Sequence, residues 1–157
     1  MLKLYYCDKN DIENTLKNAI TPNICGDYRI ERTQNGKPFI VGNPLYFSVS
    51  HSDNRAVIAI CDKPVGVDCE IIRERKISGI SKRLSEREQA EIGGNTLNFL
   101  YNWTAKEAFI KMIGGTLASC LKHLEFFESE IYMGGKLQNC TVKFENQPNF
   151  VVAVCTR

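Results

Sequence analysis

The segment from about residue 97 to 113 constrains this chain more than any other. It carries Phe99, Leu100, Trp103, Phe109, Ile110, Met112 and Ile113, which at ~100° per residue cover most of a helix circumference. A helix that is apolar nearly all round belongs inside a fold. Into it are set Lys106, Glu107 and Lys111. Glu107 falls between Trp103, Leu100 and Ile110, and Lys111 follows one turn later on the same side. On a surface the pair would be an ordinary i, i+4 salt bridge worth about 0.3 to 0.5 kcal/mol. In an apolar setting a carboxylate needs a cation or a bound metal beside it, because burying an unpaired charge is costly.

A second stretch, Gly66-Val67-Asp68-Cys69-Glu70, reads as a strand. Period-two alternation puts Asp68 and Glu70 on one face and Val67, Cys69 and Ile71 on the other. Alternating charges often mark a solvated strand face. Here Gly66 removes a side chain from the charged face, which predicts room for a ligand. Paired hard oxygens with open positions suit Mg²⁺. Carboxylates for a hard cation, followed by lysines for phosphate, point to phosphate chemistry. Cys69, on the opposite face, reads as a buried small residue.

The remaining pattern is α+β with antiparallel strands. Ile12, Leu16, Ala19 and Ile20 have helical spacing that Pro22 closes. Residues 45–49 and 55–61 read as strands, and Asp62-Lys63-Pro64 predicts a hairpin that returns the chain into 65–72 and delivers Asp68 and Glu70. Ser85 and Glu88 have capping-box spacing for a short helix ended by Gly93-Gly94. Strands are expected over 124–127, 131–133, 141–144 and 150–155, with a tight turn at Gly134-Gly135.

Composition bounds the function classes. At 157 residues and 43% hydrophobic the chain can bury a core as one unit or two small lobes. A formal charge of +2 gives no argument for nucleic acid, whose binders carry a concentrated basic excess. Seven scattered cysteines without a Cys-x-x-Cys pair predict reduced thiols in a cytoplasm, and with only two histidines they argue against zinc. No apolar run reaches membrane-spanning length and no signal-peptide pattern follows Met1, so a soluble intracellular protein is expected.

Together the motifs Gly66-Val67-Asp68 and Trp103-Thr104-Ala105-Lys106-Glu107-Ala108-Phe109-Ile110-Lys111 resemble those of the 4'-phosphopantetheinyl transferases, in particular the surfactin-type branch. Phe47-Ser48-Val49-Ser50-His51-Ser52 resembles that family's Ser-His-Ser stretch, and Gly36-Lys37-Pro38 its Gly-Lys-Pro turn. Four motifs in order, over residues 36 to 115, carry the resemblance. It implies a single transferase unit over 1–157, with two pseudo-symmetric lobes, about 1–65 and 66–157, and an active site between them. It further implies transfer of the 4'-phosphopantetheine arm from coenzyme A to a serine of an apo acyl or peptidyl carrier protein, releasing adenosine 3',5'-bisphosphate.

In that reading Asp68, Glu70 and Glu107 hold Mg²⁺, Glu107 or a metal-bound water is the base, and Lys111 serves the leaving phosphate. Lys37, Ser50, His51 and Lys106 contact coenzyme A, with His51 and its flanking hydroxyls presented to a phosphate from one turn. The first lobe is abbreviated, and Arg29 and Arg32 are the nearest cationic candidates for the adenine and 3'-phosphate contacts. A basic segment, Arg73, Arg75, Lys76, Lys82, Arg83 and Arg87, is expected to dock the acidic carrier. The compact length also resembles the trimeric single-lobe carrier-synthase branch, whereas the Trp-Thr-Ala-Lys-Glu motif favours the two-lobe monomer. A Mg²⁺-dependent hydrolase of coenzyme A and a noncatalytic coenzyme A or carrier-binding relative are the alternatives.

Overall fold

A strand that is apolar on both faces has to be covered on both, and Arg55–Cys61 is buried at every position after Arg55. The computed structural model describes residues 1–73, 79 and 83–157. In chain order it holds β1 (Leu2–Asp8), α1 (Ile12–Ile20), β2 (Ile30–Arg32), β3 (Pro38–Ile40), β4 (Tyr46–Ser52), β5 (Arg55–Cys61) and β6 (Val65–Ile71). There follow α2 (Glu86–Ile92), α3 (Thr96–Ile113), α4 (Leu117–Cys120), β7 (Leu124–Phe127), β8 (Glu130–Met133), β9 (Lys136–Leu137), β10 (Thr141–Gln147) and β11 (Phe150–Thr156).

Two antiparallel sheets, ordered β1-β5-β4 and β10-β11-β6, form the centre, and β2-β3 and β7-β8-β9 are smaller additions. On one side of β5, Ile58 and Ile60 join Phe47 and the Ala19 and Ile20 of α1. On the other, Val57, Ala59 and Cys61 meet Val65, Val67 and Cys69 of β6 and Val152 and Val154 of β11. The outer side of β11, Ala153 and Cys155, packs on Ala105, Ala108, Phe109 and Met112 of α3. The layers therefore run helix, sheet, sheet, helix, an α+β arrangement.

Local signals account for the element ends. Ser85 and Glu88 form a reciprocal capping box, and Gly93 closes α2 at φ 57°. The Asn95 side chain accepts from the backbone of Leu97 and Asn98 to start α3. Among the described residues no helix is long and apolar enough to cross a membrane.

Two expectations are corrected. The predicted hairpin over 55–72 does not form. Arg55–Cys61 pairs backward with β4, whereas β6 pairs with β11, so Asp62-Lys63-Pro64 carries the chain from one sheet to the other. The space at Gly66 is not left for a ligand. A Cβ built there would lie 1.9 Å from the Ala108 carbonyl oxygen, so the backbone of α3 occupies it.

Candidate active site

The site grows from the open edge of β6. Backbone N–H groups of an edge strand need partners, and those of β6 find them in side chains of β4. Val67 N donates to Ser48 Oγ at 3.0 Å, Cys69 N to Ser50 Oγ at 3.3 Å, and Ile71 N to Ser52 Oγ at 3.1 Å. The offset is 19 residues each time, so β4 and β6 run parallel across the seam between the sheets.

Across the Gly66-Asp68-Glu70 face lies α3, drawn to backbone distance by the missing side chain of Gly66. Lys111, in its last turn, donates to Asp68 Oδ1 at 2.7 Å and to Ser50 Oγ at 2.9 Å. Ser50 in turn donates to the same Asp68 oxygen at 2.7 Å. Asp68 is only 4% exposed, and burial pushes its carboxyl above the ordinary range against the pull of Lys111 and Ser50. Burial likewise lifts Glu107, reinforced by Asp68 and Glu70 and opposed by Lys111 and a hydrogen bond from Trp103, to about 7. Asp68, Glu70, Glu107 and Lys111 thus share one electrostatic neighbourhood.

Other expected site residues lie elsewhere. Lys106 is fully buried, with its ammonium 2.9 Å from Glu88 Oε1. Its ammonium is therefore engaged in the interior, where the sequence reading expected a contact with coenzyme A. The same Glu88 oxygen accepts from Asn102 Nδ2 at 3.2 Å and Phe126 N at 2.9 Å, tying α2 and β7 to α3. Burial lowers the Lys106 ammonium, while the Phe126 N–H and Lys106 outweigh desolvation to lower Glu88.

The buried hydroxyl of Ser50, expected to contact coenzyme A, is engaged by Cys69, Asp68 and Lys111. His51 is exposed and alternates to the opposite face of β4. It therefore cannot present its imidazole together with both flanking hydroxyls. Lys37 donates to Met112 O at 2.6 Å and Val65 O at 3.4 Å, a cation at the carbonyl end of α3, and burial lowers it to about 8.

Arg73 and Arg83 are exposed. Arg75, Lys76 and Lys82 lie outside the described residues. Arg87 pairs with Glu125 and stacks its guanidinium 4.8 Å and 4.7 Å from the Phe127 and Tyr132 ring centres, which makes it part of the β7–β8 packing. Arg29 pairs with Glu31 at 2.9 Å, while Arg32 donates to Gly36 O.

A cleft of about 560 Å³ opens beside Lys111, with Arg32, Lys37, Glu13 and Val49 among its walls. A second cavity of about 450 Å³ shares Lys37 and Pro38 and is walled by Phe39, Tyr46, Phe47 and Ile113. Three cations, Arg32, Lys37 and Lys111, and one carboxylate, Glu13, line the first, and Lys111 links it to Asp68; its volume suits a small ligand.

Sequence reasoning missed Glu88 as the partner of Lys106, although the capping box already marked it. It also missed Ser48 and Ser52 as seam residues, whose i, i+2, i+4 spacing with Ser50 was the available signal.

Among the described residues no three His, Cys, Asp or Glu side chains converge closely enough to hold a metal ion as they stand. The donor set nevertheless fits a hard divalent cation. Asp68 Oδ2 is buried without a hydrogen-bond partner, and Asp68 and Glu70 raise the Glu107 pKa, as added positive charge would relieve.

Carboxylates and an ammonium lie together between a seam strand and a buried helix, beside a cleft lined by Arg32, Lys37 and Lys111, in an α+β fold. Residues 64–155 match the family model of the 4'-phosphopantetheinyl transferase superfamily. The chain belongs to that superfamily. It is 38% identical over 88 residues to the 4'-phosphopantetheinyl transferase gsp of Aneurinibacillus migulanus, covering 53% of this chain and 37% of that relative. To the L-aminoadipate-semialdehyde dehydrogenase-phosphopantetheinyl transferase of Xenopus laevis it is 34% identical over 139 residues, 73% of this chain and 45% of the relative. To the 4'-phosphopantetheinyl transferase Sfp of Bacillus subtilis it is 26% identical over 144 residues, 82% and 63%. The chain therefore spans less than two thirds of the length of each of these relatives, which agree with the surfactin-type resemblance of its motifs.

Proposed function

We propose that the chain transfers the 4'-phosphopantetheine arm of coenzyme A to a serine hydroxyl of an apo carrier protein, with adenosine 3',5'-bisphosphate as the second product. The observation that carries this reading is Lys111 bonded to Asp68 in a cluster that also holds Glu107 at about 7, inside the segment that matches the transferase superfamily.

The cleft lined by Arg32, Lys37 and Lys111 supplies positive charge for the diphosphate and nucleotide phosphates. Glu107 takes the serine proton as that oxygen bonds to phosphorus and the bond to the bridging oxygen breaks. Lys111, half-exposed at the cleft wall, stabilises the departing phosphate. Asp68, Glu70 and Glu107 would hold Mg²⁺, which when bound neutralises charge on the diphosphate. Its bond to Asp68 holds Lys111 at the cleft wall. Exposed Arg73 and Arg83 are the described part of the carrier-docking face. We place the reaction in the cytoplasm, where seven free cysteines stay reduced, and read the two central sheets as the cores of two lobes in a monomer.

Intact-protein mass spectrometry of an apo carrier incubated with this chain, coenzyme A and Mg²⁺ tests the reading. A mass gain of one phosphopantetheine arm, abolished by EDTA, is the expected result. No gain on acyl or peptidyl carriers would overturn it.

A further inference from the structure

The serine row of β4 does more than join the sheets. A hydroxyl offers one proton and two acceptor lone pairs, so a serine that accepts a β6 N–H keeps its proton for another group. Ser50 accepts from Cys69 N and donates to the carboxylate one residue back, Asp68 Oδ1, at 2.7 Å. Ser52 accepts from Ile71 N and donates to the carboxylate one residue back, Glu70 Oε2, at 3.3 Å. Ser48 accepts from Val67 N, and one residue back is Gly66, which has no side chain to orient. The motif repeats three times, and only its glycine repeat lacks a carboxylate.

We propose that Ser50 and Ser52 are positioning residues that tie the rotamers of Asp68 and Glu70 to the register between the two sheets, so that the metal-binding oxygens are set by the same hydroxyls that close the seam. This rests on the Mg²⁺ reading above. Ser50 also accepts from Lys111 at 2.9 Å, so one buried hydroxyl aligns carboxylate and ammonium together. With Asp68 Oδ1 held by Ser50 and Lys111, Oδ2 is the oxygen left without a protein partner. Side chains that orient a metal ligand in this way commonly change metal affinity by about 10- to 100-fold when removed.

The experiment compares wild type with Ser48→Ala, Ser50→Ala, Ser52→Ala and Ser52→Thr, using Mn²⁺ as the probe. Free Mn²⁺ is followed by electron paramagnetic resonance and folding by thermal melting. All three alanine variants should melt earlier, since each strips a partner from a β6 N–H. Only Ser50→Ala and Ser52→Ala should weaken Mn²⁺ binding, by roughly 10- to 100-fold, whereas Ser48→Ala and Ser52→Thr should leave it unchanged. Should Ser50→Ala not fold, the half-buried Ser52 pair of variants decides. Wild type that binds Mn²⁺ while Ser48→Ala loses as much affinity as the others, or Ser52→Ala loses none, overturns the positioning role alone. Wild type that binds no Mn²⁺ overturns the metal reading and this inference with it.

Discussion

Lys106 Nζ sits 2.9 Å from Glu88 Oε1 with both side chains closed off from solvent, so the lysine beside the proposed base is a structural cation. Breaking such a pair strands a charge in the interior. Lys106→Met should lower the unfolding free energy by about 3 to 5 kcal/mol, measured by urea denaturation. The folded fraction should keep the wild-type KM for coenzyme A. A raised KM with unchanged stability would return Lys106 to the phosphate site.

Gly66→Ala tests how closely α3 rides on β6. The new Cβ would meet Ala108 O at 1.9 Å and Met112 N at 2.4 Å, both backbone atoms. Helix and strand must part, at a cost of about 1 to 3 kcal/mol or more. The same shift draws Lys111 from Asp68, so turnover should fall along with Tm. A variant with wild-type Tm and rate would show that the contact is looser than drawn.

Glu107 makes stability depend on pH. Burial and the neighbouring carboxylates raise its folded value from 4.5 to about 7. Between those values the folded state holds more protons than the unfolded chain, so stability falls as pH rises from about 4.5 to 7. In EDTA, wild type should show this decline by denaturant titration, and Glu107→Gln should flatten it. An unaltered slope in Glu107→Gln would assign the effect to other groups.

Lys111→Ala, Asp68→Ala and Glu107→Gln should each reduce turnover by about 10²- to 10⁴-fold, the range for losing a positioned acid–base or charge-stabilising group. Circular dichroism should report a folded chain in each case. Near-native rates in all three would sink the catalytic assignment.

The local parts of this structure were legible in the sequence because their causes are local. The capping box at Ser85 and Glu88, the glycine stop at Gly93 and the spacing of Ile12, Leu16, Ala19 and Ile20 each act within a turn or two, and the helices begin and end there. Alternation put Asp68 and Glu70 on one face of β6, and helical spacing put Glu107 one turn from Lys111. Pairing partners are a different matter. A three-residue turn after β5 is compatible with a hairpin or with a crossing between sheets. Here β4 had already taken one edge of β5 and β1 the other, so β6 had to pair with β11.

By itself the sequence determined the α+β class, the positions of α1 to α3, β4 to β8, β10 and β11, and a carboxylate strand followed by a lysine-bearing buried helix. Only the tertiary structure decided which lysine meets Asp68. Lys106 and Lys111 stand on a helix that is apolar nearly all round, so periodicity cannot rank its faces; packing against β6, with Gly66 admitting the helix backbone, aimed Lys111 at Asp68 and left Lys106 for Glu88. The serines were visible as an alternating row, but their acceptor role depends on an edge strand 19 residues away. The N–H groups of that edge reach the serine hydroxyls only once the two sheets have met.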